Sequence, residues 1–139
     1  MGENIRDVMT PKPVTMSATS SVADAARAMR DRNIGDVIVL ENGRVSGIVT
    51  DRDIVVRALA AGRDLHATQV GDICSREPTT LAPTGSVEEA IQLMREKAIR
   101  RLPVVEQGKP IGIVSLGDLA VVRDRRSVLG DISAAPPNH

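Results

Sequence analysis

Apolar residues along this chain keep two alternating rhythms. In "SSVADAARAMRDRNI", Val22, Ala25, Ala26 and Met29 return at helical spacing, which predicts a helix with Ser20 or Ser21 as its N-terminal cap. "GSVEEAIQLMREKAI" keeps the same rhythm, with Ser86 as cap and Glu89 three residues later, a capping box. After each helix the apolar residues run without a break, and "DVIVL" and "LPVVE" read as strands buried on both faces. The turns "ENGR" and "EQGK" place a glycine where the chain must reverse, and the strands "VSGIVT" and "PIGIVS" follow. Each leads into a further helical stretch, "DRDIVVRALAAG" or "LGDLAVVRD". Short β-prone runs after proline, "PVTM" and "PTTL", open each half.

Every element has a twin because the chain is a tandem duplication. Displaced by 65 positions, it matches itself without a gap from Ile5/Val70 to Arg57/Val122. Identical pairs include Asp7/Asp72, Pro13/Pro78, Val22/Val87, Met29/Met94, Gly47/Gly112 and Asp53/Asp118. The predicted fold class is α/β (α+β): two β-α-β-β-α repeats packed sheet to sheet with pseudo-two-fold symmetry, since a half of this size is barely stable alone. The first repeat with its linker is assigned to 1–66, the second to 67–126 and a C-terminal tail to 127–139. The tail has room for one more helical turn, and its "AAPPNH" end is expected to be mobile.

Composition narrows the function classes. Phe, Tyr and Trp are absent, so Val, Ile, Leu, Met and Ala fill the core, and the absence disfavours aromatic platforms for single-stranded nucleic acid. Eighteen basic and eighteen acidic residues cancel, leaving no global field to recruit DNA, RNA or an anionic membrane. Neither nucleic acid nor membrane is an expected partner. The single cysteine, Cys74, makes no internal disulfide and fits a reducing compartment. "MGENIRDVMTPKP" lacks the apolar run of a signal peptide, and no stretch approaches the roughly 18 apolar residues of a membrane span. A cytoplasmic protein is expected.

The stretch "GIVTDRDIV" and its twin "GIVSLGDLA" carry the candidate chemistry. Thr50 and Ser115 end strands, and Asp53 and Asp118 fall in the first turn of the helices that follow. One reading is capping, in which the hydroxyl accepts from the amide three residues on and the carboxylate sits at a positive helix end. The other is binding: a carboxylate beside exposed helix amides can chelate a sugar diol. The two are compatible, and repetition of both residue types favours binding. No Ser-His-Asp, Cys-His or paired-carboxylate set is visible, and the glycines of "GRVSG" and "GKPIG" lack phosphate-loop spacing, so no enzyme is expected. Cys74 and His66 do not make a tetrahedral ligand pattern, so no metal site is expected within one chain.

Two copies of these elements, an entry like "MTPKP", an "I-x-x-V/L-P/I-V-V/L" strand and a "G-I-V-T/S-x-x-D" junction resemble a pair of cystathionine-β-synthase (CBS) domains, the Bateman module. The resemblance covers roughly residues 4–124, and "TDRDIVVRALAAG" is especially similar to small stand-alone CBS-pair proteins of actinobacteria. The first repeat departs from the pattern with Ile38 where proline is usual, and with Gly35-Asp36 where the second repeat has Arg100-Arg101.

The resemblance implies a regulatory module that binds an adenine nucleotide (AMP, ADP or ATP) in the cleft between its repeats, with no covalent cofactor. NAD and S-adenosylmethionine present the same adenine and ribose. Asp53 and Asp118 would hold ribose, with Thr50 and Ser115 beside them. Arg100 and Arg101 would reach phosphate, and Arg52 is a second phosphate candidate or a surface charge. Backbone around Pro13, Val14, Pro78 and Thr79 would read the adenine edge. Ile34, Val37, Ile99 and Leu102 would clamp the base faces, although each taken singly reads as core. Asp36 stands where Arg101 stands in the twin, so the two sites should differ. A homodimer and an unidentified downstream protein are the expected partners. The rival readings are a structural dimerisation or interaction module without nucleotide, and a redox or metal sensor acting through Cys74.

Overall fold

A computed structural model describes residues 4–76 and 78–128, so the tail from 129 lies outside the described residues. The elements are α1 (Ile5–Val8), β1 (Thr10–Pro11), β2 (Thr15–Ser17), α2 (Val22–Arg32), β3 (Asp36–Glu41), β4 (Arg44–Thr50) and α3 (Asp51–Asp53), which continues as a π-helix (Ile54–Leu59). They go on with α4 (Val70–Ile73), β5 (Ser75–Arg76), α5 (Val87–Lys97), β6 (Arg101–Glu106), β7 (Lys109–Ser115) and α6 (Leu116–Val128). The chain divides into two compact units: residues 12–78 with 107–110, and residues 4–11 with 79–106 and 111–128. The first carries a sheet in the order β2-β3-β4-β5, the second a sheet in the order β1-β7-β6. Among the described residues no helix is long and apolar enough to cross a membrane.

Each unit is built as the hydrophobic pattern dictates. In the four-stranded unit, Val37, Ile38 and Val39 of β3 are all buried, as a continuous apolar run requires. Val22, Ala25 and Met29 of α2 close over Val37, Val39 and Val49. Ser21 is the cap of α2, its hydroxyl accepting from the Asp24 amide at 3.0 Å. In the three-stranded unit, Val87, Ala90 and Met94 of α5 pack with Leu102, Val104, Val114 and Leu119. Ser86 and Glu89 form the expected capping box.

The packing units are not the sequence repeats. Each repeat begins with a short helix and a two-residue strand that join the sheet of the other repeat. α1 buries Ile5 in the three-stranded unit, and β1 pairs antiparallel with β7 through Thr10↔Ile113 and Pro11↔Gly112. α4 buries Val70 and Ile73 in the four-stranded unit, and β5 pairs with β4 through Gly47↔Arg76 and Ile48↔Ser75. Gly47 and Gly112 make this crossing possible. A Cβ on Gly47 would stand 2.7 Å from both the Cys74 sulfur and the Ser75 carbonyl oxygen. One on Gly112 would stand 2.9 Å from Met9 Cγ and 3.0 Å from the Thr10 carbonyl oxygen.

Two expected elements come out differently. The run "PTTL" forms no strand; only Leu81 bridges to Val104. In the first repeat the Ile38 amide donates to the Val14 carbonyl at 3.0 Å, which carries β2 along β3. The twin of Ile38 is Pro103, which has no N–H to give Thr79, so the ladder shrinks to the bonds around Leu81. The stretch after Asp53 is a π-helix, with Ala60 donating to Val55 at 2.8 Å. Its wider turn buries Ile54 and Ala58 and leaves Val55, Val56 and Leu59 on the surface.

Gly47→Ala should cost about 1–3 kcal/mol of unfolding free energy, because the methyl group meets a backbone oxygen that cannot swing away. Urea denaturation followed by far-ultraviolet circular dichroism measures it. A variant as stable as the parent would show that β5 does not need its close seat on β4.

Candidate functional site

The two strand-to-helix junctions have the same geometry. At the end of β4 the Thr50 amide donates to Asp53 Oδ2 at 2.9 Å, and the Asp53 amide donates to Thr50 Oγ1 at 3.1 Å. At the end of β7 the Ser115 amide donates to Asp118 Oδ2 at 3.1 Å, and the Asp118 amide donates to Ser115 Oγ at 3.1 Å. All four residues are half-buried. Capping is therefore present at both junctions, and it orients the groups that binding would use. In these capping bonds each carboxylate uses one oxygen, and each hydroxyl accepts from an amide while keeping its own proton to donate.

The residues beside each box are fixed by the same sheets. Asp36 lies opposite Thr50 in the β3–β4 ladder, and the Asp51 amide donates to the Gly35 carbonyl at 3.0 Å. In the other unit the Leu116 amide donates to the Arg100 carbonyl at 2.8 Å, which sets Arg100-Arg101 beside Ser115 and Asp118. The first box thus has an acidic neighbour and the second a basic pair.

The remaining candidates divide by burial. Val37 and Leu102 are fully buried core side chains, whereas Ile34 and Ile99 are half-buried at the entrances to β3 and β6. Pro13 and Val14 are half-buried ahead of β2, and Pro78 and Thr79 are half-buried without forming a strand. Arg52 is exposed on α3. The basic residue that meets Asp53 is Arg57: its Nε lies 3.8 Å from Asp53 Oδ1, and its Nη1 donates to the Ile73 carbonyl at 3.3 Å. The i,i+4 spacing of Asp53 and Arg57 on a helix was the signal for it.

Cys74 is 7% exposed in the four-stranded core, and burial pushes its thiol pKa up, with Arg76 opposing the shift. Among the described residues no three His, Cys, Asp or Glu side chains gather as metal ligands. A surface hollow of about 370 Å³ lies at the far end of β2 and β3, lined by Ser17, Thr19, Glu41 and Asp72 among others. Its one cation, Arg76, already donates to the Gly71 carbonyl at 2.9 Å and lies 3.7 Å from Glu41.

A family model for the CBS domain matches residues 5–59 and again 70–125. CBS domain-containing protein YhcV of Bacillus subtilis is 43% identical over 118 residues, 85% of this chain and 84% of that protein. The crystal structure of Hypoxic Response Protein I with two coordinated zinc ions matches with a TM-score of 0.79 at 30% identity, covering 86% of this chain and 98% of that one. The CBS domain pair of protein MJ0100, in complex with 5'-methylthioadenosine and S-adenosyl-L-methionine, shares the fold with a TM-score of 0.81 at 23% identity, covering 91% and 99%. With both of its repeats matched, the chain belongs to the CBS-domain family, as a tandem pair of the kind that serves as a regulatory module.

Proposed function

We propose that this CBS pair senses an adenine nucleotide, bound through the Ser115–Asp118 box with phosphate on Arg100 or Arg101. The observation that carries the reading is the doubled reciprocal box. Asp118 is held by Oδ2 alone in the capping bonds, which leaves its other oxygen to accept from a ribose hydroxyl. Guanidinium groups beside it supply planar donors for phosphate. A related pair of the same fold is known in complex with two adenosine ligands, which supports the choice of ligand class.

The Thr50–Asp53 box, with Asp36 opposite, favours an uncharged adenosine group over a phosphate. Val55, Val56 and Leu59 are 53%, 49% and 62% exposed, an apolar helix face suited to a second copy of the chain, so the sensing unit is a homodimer. Occupancy shifts the packing of a cytoplasmic module, and a downstream protein reads the change.

Titration calorimetry with AMP tests this reading. It should give about one tight site per chain, because a like charge a few ångströms from phosphate costs on the order of 1 kcal/mol in a partly desolvated site. Asp36→Arg should strengthen a second site. Flat titrations with AMP, ADP and ATP would sink the nucleotide reading, and two equal sites in the unmodified protein would refute the asymmetry.

Asp118→Ala should weaken AMP binding by about 1.5–3 kcal/mol, as for a hydrogen bond to a charged group. The ligand-free protein should lose only about 1 kcal/mol of stability, the usual size of a lost cap. A large fall in melting temperature with unchanged affinity would leave Asp118 as a cap alone.

A further inference from the structure

Arg57 performs a task that the repeat pattern does not require. Its Nη1 donates to the carbonyl of Ile73, the last residue of α4, and its Nε faces Asp53 Oδ1. The Gly71 carbonyl of the same short helix is held by Arg76. Two guanidinium groups therefore hold the end of α4, just where Cys74 enters the core with Val70 and Ile73. One of them also reaches the carboxylate of the Thr50–Asp53 box. The twin of Arg57 is Val122, a core residue that is 3% exposed, so the Ser115–Asp118 box lacks this particular link.

Resting on the adenosine reading above, we propose that Arg57 couples occupancy of the Thr50–Asp53 box to the seating of the α4–β5 segment. Oδ2 of Asp53 is committed to the Thr50 amide, so Oδ1 is the oxygen left for a ribose hydroxyl. That is the oxygen Arg57 faces. The Arg57 side chain is 54% exposed and its pair with Asp53 is long, so a directly bonded hydroxyl competes well against it. Once displaced, Arg57 loses the anchor that aims Nη1 at Ile73. The Val70 and Gly71 amides also donate to the Ser20 and Ala18 carbonyls, and β5 pairs with β4. Arg57 is therefore one tie among several, and its release loosens the segment in part. Cys74 then samples open states more often. Adenosine is the ligand of choice for this box because it brings no phosphate to Asp36.

The chain has one cysteine, so the rate of thiol modification reports on this segment alone. Adenosine is titrated into the full chain, with binding heats and the rate of Cys74 reaction with an aromatic disulfide reagent measured on the same samples. The rate is expected to rise roughly two- to fivefold as the Thr50–Asp53 box fills, the factor that corresponds to one partly exposed ion pair. Arg57→Val, which installs the residue of the twin position, is expected to react faster without adenosine and to show no further response to it. If that variant reacts faster only because the whole chain is looser, adenosine bound at the other box will slow the reaction, and the coupling is overturned. A wild-type rate that stays level or falls while both sites fill overturns it too, as does binding at one site alone. A complete absence of binding heat removes the adenosine reading itself, and the coupling with it.

Discussion

At Gly47 and Gly112 a segment of backbone and sulfur lies where any other residue would place a side chain. The rest of the architecture depends on that close approach. β5 can add to β4, and β1 to β7, only because the crossing segment sits almost on the sheet. Burial then secures the exchange. Ile5, Val70 and Ile73 each remove an apolar side chain from water, worth about 1.5–3 kcal/mol apiece when complete. The start of each repeat is thus fastened to the sheet of the other repeat, so each compact unit draws on both repeats.

The same strands that accept these segments end in the two Thr/Ser-Asp boxes. In the proposed reading, capping and binding are successive uses of one geometry. A helix must satisfy its first amides, and a hydroxyl and carboxylate three residues apart do so locally. Satisfying them also fixes the direction in which the remaining oxygen and hydroxyl proton point. A diol bound there, as proposed, would need little further ordering, so less of the binding energy would be lost to immobilising side chains.

Duplication followed by divergence gives the two halves different chemistry at matched places. Asp36 stands against Arg101, Arg57 against Val122, and Ile38 against Pro103. The first pair sets the sign of charge beside each box. The second links one box to α4 and leaves its counterpart at that place apolar. The third decides whether a strand can pair along its neighbour, since Pro103 has no amide to offer. Each difference is a single residue, and each acts through its immediate neighbours in the sheet or helix.

The sequence by itself determined the repeat, the long helices, the paired strands and both boxes. These are written in local terms: a period of 3.6, an unbroken apolar run, a hydroxyl three residues before a carboxylate. The spacing of Asp53 and Arg57 was equally legible, although its meaning was not. Tertiary structure decided that Val37 and Leu102 are core while Ile34 and Ile99 are partly open, because burial depends on what covers a strand. It also decided the exchange of α1–β1 and α4–β5. Thr10 pairs with Ile113 across most of the chain, and no periodicity within a few residues records such a partner. The reach of Arg57 to Ile73 belongs to the same class. It arises where a π-turn and an exchanged helix happen to meet, and only the packed core brings them together.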